Sequence, residues 1–451
     1  MSVSWHKDRK SAEQQKAKGK KNGAEATLFA VLLSLFPFFC FLCNMNENPA
    51  TRQFICQHAH DDVRALALRT PPPGVDLPWA LQQIQGRQLA ERKLPQWAAC
   101  ADLWWPVRLS MEQASSQPSA AYKRLLAARL LPEPDRRRQF IDLTGGLGVD
   151  FATIAPLFQR ALHVERNPEL STIVAHNLPL LGLNHAETQC ADAETIATLL
   201  AHVDLVMLDP ARRDTAGRKT VCIEDCTPDV RQLLPSLLPN IGFLMLKLSP
   251  MLDVTAALRS LPQTCQVHVV SVDGECKELL LVLSGALASP SPTPPSVHAI
   301  GLRHDQSEPV FSFVFQPQEE QQAQPVYATH PQQWLLEPDP AVLKAAPLKL
   351  LCQRYQVQKL APMSHLYTSP VPVPHWPGRL FRVESTYTFG KQDLRALLAD
   401  TPRADLTVRG FPQSVAQLRA RLKIKEGGTA HLFATTLADG QKIIIKTVPE
   451  A

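Results

Sequence analysis

Three glycines within four positions, Gly145, Gly146 and Gly148, follow closely on an acid, Asp142, in the run Asp-Leu-Thr-Gly-Gly-Leu-Gly-Val-Asp. Glycines so placed let a ligand approach the main chain where a Cβ would stand in the way. A dinucleotide fingerprint would read G-x-G-x-x-G, but Phe151 takes the place of the third glycine. An acid at the head of the loop also repels a pyrophosphate and attracts a cation, such as an amino group or a sulfonium. Further polar groups recur downstream in order: Glu165 with Arg166, Asp192 with Ala193, Asp209-Pro210-Ala211-Arg212, and Lys247. Glu165 stands 23 residues after Asp142, a separation at which an acid can accept both hydroxyls of a ribose in a doubly wound fold. Asp192 is placed to receive an adenine amino group. Taken singly, Asp142 or Asp192 is an ordinary helix-capping or turn acid, and Glu165 with Arg166 is a solvated pair. The ordered set argues for a site.

Each of these groups must be held by an element. Gln139-Phe140-Ile141 reads as a strand leading into the loop, and Phe151 to Ala155 as the start of a helix. Leu162-His163-Val164, Gln189-Cys190-Ala191, Asp204 to Leu208 and Gly242 to Leu246 are further strand-like runs, each ending in one of the polar positions. The carboxyl ends of successive strands are where open α/β sheets bind ligands. Val267 to Val272 and Leu279 to Leu283, joined through Asp273-Gly274, read as a closing strand pair.

Over residues 136–286 the chain resembles the class I S-adenosylmethionine-dependent methyltransferases. The resemblance implies an α/β fold with a Rossmann-like, doubly wound sheet and S-adenosylmethionine as cofactor. It implies that Asp142, Thr144, Gly145, Gly146 and Gly148 hold the methionine part, that Glu165 and Arg166 hold the ribose, and that Asp192 and Ala193 hold the adenine. Asp209 would border the cofactor and orient the acceptor. Amino-methylating members often carry D-P-P-[YF] at this point; here Asp209-Pro210 is retained while Ala211 and Arg212 replace the rest. That departure weakens a reading as base N-methylation and lies nearer to D-P-P-R variants of some RNA uracil methyltransferases. Arg212, with Arg213, could grip a phosphate, or could be a solvated pair at a helix start. Lys247 could position substrate or neutralise a phosphate, or could be structural. Cys222 and Cys226 are spaced C-x3-C with no partner pair for zinc, so they read as packed thiols. No metal is expected.

The chain has 451 residues, room for two or three domains, with 45% apolar and 20% charged residues as in globular proteins. Ten cysteines without framework spacing read as reduced thiols of a cytoplasmic protein. Residues 1–44 form a basic leader followed by an apolar run from Thr27 to Cys43, marginal in length for a membrane span. The expected start is Met45, with 1–44 an upstream over-translation; the alternative is a membrane anchor, and membrane contact is expected only in that case. Most of the net charge of +5 lies in that leader, so no global basic field argues for nucleic acid.

Residues 45–135 read as mainly helical, with candidate helices around Ala80 to Ala90 and after a polar cap at Ser115-Ser116. Residues 287–296 are a Pro/Ser-rich linker. An α+β connecting region follows at 297–370, with a strand at Val310 to Phe315, a Gln/Glu-rich loop at 316–324 and a helix within Leu335 to Leu351. At 371–451, Arg409-Gly410-Phe411-Pro412, a helix Val415 to Leu422, Lys425-Glu426-Gly427-Gly428 and a hairpin turning at Asp439-Gly440 resemble the C-terminal THUMP-like domain of a bacterial subgroup of these methyltransferases. THUMP domains are implicated in RNA binding. Arg403, Arg409, Arg419, Arg421, Lys423 and Lys425 face only Asp405 over 401–425, a cluster that could meet phosphates or be a solvated helix face. The expected function is direct methyl transfer to RNA, tRNA or rRNA. A protein or small-molecule methyltransferase, or an S-adenosylmethionine-binding protein without turnover, remains open.

Overall fold

A computed structural model describes residues 48–211, 223–288 and 294–449. The 1–44 leader, Arg212, Arg213, Cys222 and the middle of the Pro/Ser-rich linker lie outside the described residues. The chain forms two compact units. The first holds the described residues up to Ala211 together with Cys226–Met245 and residues 284–288. The second holds Leu246–Leu283 and the described residues from 294 onward.

The first unit opens with helices α1 (Pro49–Gln57), α2 (Val63–Ala67), α3 (Leu77–Lys93), α4 (Pro95–Ala98), α5 (Arg108–Gln113) and α6 (Gln117–Leu130). Their starts follow local chemistry. The side chains of Asn48, Asp62 and Asp76 accept amides of the first turns of α1, α2 and α3, satisfying donors that a helix start leaves unpaired. Gly86 in α3 is required by close packing, since a Cβ there would lie 2.2 Å from the Cβ of Trp105. Ser116 takes the capping position of α6 but makes no side-chain capping bond; the hydroxyl of Ser115 is used elsewhere.

A parallel sheet follows. Strand β1 (Gln139–Asp142) lies between β2 (Arg160–Glu165) and β4 (Val203–Leu208), with Asp142 level with His163 on one side and Met207 on the other. Strand β3 (Ala186–Cys190) runs parallel outside β2. Helices α7 (Val149–Ile154), α8 (Pro168–Leu180), α9 (Ala193–Ala197), α10 (Val230–Leu237) and α11 (Val254–Ser260) make the connections. With β5 (Ile241–Leu248), β6 (Thr264–Val272), β7 (Glu275–Ser284), β8 (Ser296–Leu302) and β9 (Phe311–Phe315), the strand order is β3-β2-β1-β4-β5-β7-β6-β8-β9. The order reverses between β1 and β4, the crevice at which doubly wound sheets take ligands. The Rossmann-like class is therefore present. Strands β6 and β7 are the antiparallel pair expected from the sequence, turning through Asp273 (φ 49°) and Gly274 (φ 75°), the left-handed pair that a two-residue hairpin favours.

The second unit also contains a sheet ordered β11-β12-β10-β13-β16-β15-β14. Its strands are β10 (Trp334–Pro338), β11 (Gln358–Lys359), β12 (Tyr367–Ser369), β13 (Gly378–Thr388), β14 (Asp405–Arg409), β15 (His431–Thr436) and β16 (Lys442–Pro449). Two expectations fail here. The Gln/Glu-rich stretch after β9 is not a plain loop but contains helix α12 (Pro317–Gln322), started by Pro317 and a capping box between Gln316 and Glu319. The single helix expected within Leu335 to Leu351 is β10 followed by two short helices, α13 (Pro340–Ala345) and α14 (Leu350–Tyr355). Ala346 is left-handed and Pro347, which cannot donate to a helix, follows it. Helices α15 (Lys391–Asp400) and α16 (Val415–Leu422) complete the unit. No helix among the described residues is long and apolar enough to cross a membrane.

Candidate active site

The glycine loop is built by hydrogen bonds to the strands on either side. The amide of Leu143 donates to the carbonyl of Met207 (3.0 Å), that of Gly145 to Val164 (2.8 Å) and that of Gly148 to Gly145 (2.8 Å). Gly146 (φ 54°) and Gly148 (φ 79°) are left-handed, where a side chain would be strained. A Cβ at Gly146 would meet nothing within 4 Å, so the main chain there is open to close approach. Asp142, only 2% exposed, accepts the amide of Thr144 at 3.1 Å. The Thr144 hydroxyl accepts the amide of Asp209 at 2.6 Å, which ties the loop after β1 to the loop after β4.

Glu165 ends β2 with each carboxylate oxygen fixed by one amide. Oε2 accepts from Gly146 at 2.9 Å and Oε1 from Asn167 at 2.8 Å. A carboxylate oxygen has two acceptor sites, so each keeps capacity for a hydroxyl. Asp192 is exposed at the start of α9 and makes no capping bond to it. Burial, then the Glu165 and Asp192 carboxylates, hold the Cys190 thiol above its ordinary range, so the acids after β2 and β3 share one locality. Arg166 is exposed beside Glu165 and Ala193 is buried beside Asp192. Asp209 is half-buried. The first unit thus gathers Asp142, Thr144, the three glycines, Glu165 and Asp209 around one loop. Lys247 is a buried residue near the end of β5, within the second unit. Cys226 is buried, in keeping with a packed thiol. Among the described residues no group of three or more His, Cys, Asp or Glu is placed to hold a metal ion.

Two features escaped the sequence reading. Below the loop lies His163, fully buried, with both ring nitrogens lacking a hydrogen-bond partner. The backbone of Gly145 and Gly146 lies close enough to favour the charged ring slightly, but burial wins and its pKa falls to about 4. A Cβ on Gly145 would stand 2.1 Å from this ring. The neutral ring is the folded form, so its stabilising contribution is complete above pH 6.5 and is lost as pH falls from there toward 4. The expected loss is on the order of 3 kcal/mol. Denaturant midpoints measured across that window should fall in the wild type, and a His163→Gln variant should show a flatter profile; equal slopes would remove His163 as the cause.

The second feature is a buried polar cluster. Lys123 of α6, 0% exposed, donates to Asp150 at 3.0 Å, to Ser115 at 3.0 Å and to Ser119 at 3.2 Å. Ser115 in turn donates to Asp150 at 2.6 Å. Asp150 sits in the first turn of α7, directly after the glycine loop. Ser119 and Lys123, four residues apart on one face of α6, were the available signal; Ser115 lies before the cap of that helix and reaches the same cluster from outside it.

Comparison with known proteins agrees with this architecture. Residues 378–447 match the THUMP domain-like family model, and residues 334–377 match a ferredoxin-like domain model. A solved structure of a Porphyromonas gingivalis W83 protein, provisionally described as a methyltransferase, is 33% identical; 89% of this chain and 98% of that chain align at a TM-score of 0.77. A SAM-dependent methyltransferase from Agrobacterium tumefaciens is 17% identical over 37% of this chain and 62% of that one, at a TM-score of 0.30. An rRNA methylase from Streptococcus thermophilus is 14% identical over 36% of this chain and 94% of that one, at 0.26. Overlaps that loose carry nothing about substrate. No curated protein matches the sequence.

Proposed function

The chain belongs to the methyltransferase family that carries a C-terminal THUMP-like domain, and from that premise we propose that it transfers a methyl group from S-adenosylmethionine to RNA. The residues around the loop fit that cofactor. Open main chain at Gly146, a buried carboxylate at Asp142 and a twice-anchored carboxylate at Glu165 suit a ligand with a cationic amino acid end and a ribose. When bound, S-adenosylmethionine supplies an electrophilic methyl group on a sulfonium. Asp142 would attract the cationic end, Glu165 would accept the ribose hydroxyls, and Asp192 would face the adenine, with Arg166 and Ala193 flanking them. Asp209, held through its amide by Thr144, would orient the acceptor. Arg212 and Lys247 are the further candidates for substrate contact. Such a reaction needs alignment and a dry pocket rather than acid–base chemistry of high power.

The observation that carries this reading is Glu165, whose two oxygens are fixed by the amides of Gly146 and Asn167 and so aimed beside the loop. RNA as the acceptor rests on the match of 378–447 to the THUMP domain-like model. The site is tested by calorimetric titration of the full chain with S-adenosylhomocysteine. Micromolar binding is expected, weakened more than tenfold in Asp142→Ala and in Glu165→Ala, each removing a charge-assisted contact worth roughly 1.5–3 kcal/mol. Asp209→Ala should keep the affinity and lose methyl transfer to total RNA. No binding by the folded wild type would refute the cofactor assignment, and full activity in Asp209→Ala would refute its role.

A further inference from the structure

The sheet of the second unit carries a charged group that the methyl-transfer chemistry does not use. Glu337 of β10 is 3% exposed, a position where a lone carboxylate is strongly disfavoured. Arg379 of β13, its direct cross-strand neighbour, grips one oxygen with Nε (3.1 Å) and Nη2 (2.6 Å). Arg409, the last residue of β14, brings Nη2 to 2.8 Å from the other oxygen. Next to it, left-handed Gly410 packs against the main chain of Met363 and Ser364, where a Cβ would lie 2.9 Å from both.

The second contact is close but is not aligned as a hydrogen bond: Glu337 Oε1 and Arg409 Nε are both buried without a hydrogen-bond partner. Arg379 is meanwhile 60% exposed and Arg409 36% exposed, so both keep N–H groups within reach of solvent while their inner edges are fixed, although Arg409 Nη1 also donates to the carbonyl of Val408 at 3.3 Å. Arg379 also lies over the ring of Phe381, 5.3 Å from its centroid, which limits its freedom further. Two histidines stand nearby. His365, with Nδ1 buried and unpartnered, is held toward its neutral form by burial and then by Lys359 and Arg409. His431 is likewise held neutral by burial and then by Arg379, against the pull of Glu337 and the exposed Asp405. The local balance is cationic, with Asp405 the opposing acid on the rim.

We propose that Arg379 and Arg409, seated on Glu337, are the phosphate-contacting pair of an RNA-binding face on the ferredoxin-like and THUMP-like segments. A buried carboxylate that fixes the inner edge of each guanidinium leaves a preset fork for phosphodiester oxygens, at less entropic cost than a free arginine would bear. This deepens the RNA reading and rests on it.

The test is fluorescence polarisation of the full chain with a labelled unmodified tRNA transcript, repeated over a range of salt. Arg379→Ala and Arg409→Ala should each weaken binding about tenfold and each lower the log–log salt slope by about one. Arg395→Ala, an exposed arginine of α15, should change neither. Where truncation leaves Glu337 uncompensated and the segment unfolds, Arg379→Lys keeps the charge and removes the fork; a several-fold loss at an unchanged salt slope is then expected. If the wild type binds the transcript while these variants bind equally well with equal slopes, the pair is not the contact and the RNA reading stands. If the wild type binds no RNA at any salt while still binding S-adenosylhomocysteine, the RNA reading itself fails and the pair falls with it.

Discussion

Lys123→Met should lower the stability of the first unit by roughly 3–5 kcal/mol, because it leaves the Asp150 carboxylate buried without its cation. The contacts of the ammonium with Asp150, Ser115 and Ser119 lie inside the protein, and water cannot replace them at zero exposure. The melting temperature should fall by about 10 °C or more. The effect should reach the glycine loop, since Asp150 stands two residues after Gly148 and anchors the start of α7 to α6. Affinity for S-adenosylhomocysteine should therefore drop even where the variant remains folded. The double variant Lys123→Met/Asp150→Leu removes both charges and should regain part of the lost stability, since a buried pair is often replaceable as a unit. A single-variant loss below about 1 kcal/mol would mean that water reaches Asp150 and that the cluster does not fix the loop.

Gly145→Ala should impair the loop nearly as severely, by steric conflict alone. Its new methyl would sit 2.1 Å from Cδ2 and 2.2 Å from Nε2 of His163, and the ring is enclosed, with Phe151 edge-on at 5.3 Å. Overpacking of this kind costs roughly 1–3 kcal/mol. Here the loop is the part able to move, so loss of S-adenosylhomocysteine binding should exceed the loss of stability. His163→Ala combined with Gly145→Ala should restore much of the binding, because it empties the space that the methyl needs. Two variants that merely add their defects would show that the ring is not the obstacle.

These two sites also mark where the sequence was readable and where it was not. The loop, the acids after β1 to β4 and the final hairpin were legible because each follows from a local rule: glycine where φ is positive, and a polar residue where a parallel strand ends. Glu165 was found in this way, and its position needed only counting. His163 was not, because a histidine inside Leu-His-Val reads as one more strand residue; its burial depends on Gly145 being across from it. Lys123 was hidden for the opposite reason. Lysines on helices are nearly always solvated, and only the fold brings Asp150 to it, 27 residues later in the chain. Glu337 was passed over because Trp334 to Pro338 is buried throughout, a pattern that does not separate a strand from the start of a helix. The basic cluster of 401–425 was visible as composition. Its partition was not: Arg419 turns to the carbonyls of Ala404 and Ile424, while Arg409 goes to Glu337.

The main-chain bridge between Ala211 and Thr227, two hydrogen bonds of 2.7 and 3.1 Å, has a consequence for how this protein can change. It fixes the exit and the return of the segment that follows Asp209, independently of what lies between. With the ends clamped, lengthening that segment carries only a slow logarithmic entropy penalty, about 0.6 kcal/mol for each doubling. A lineage, or an engineer, can thus exchange the residues between the two clamped ends for a run of different length without rebuilding the sheet.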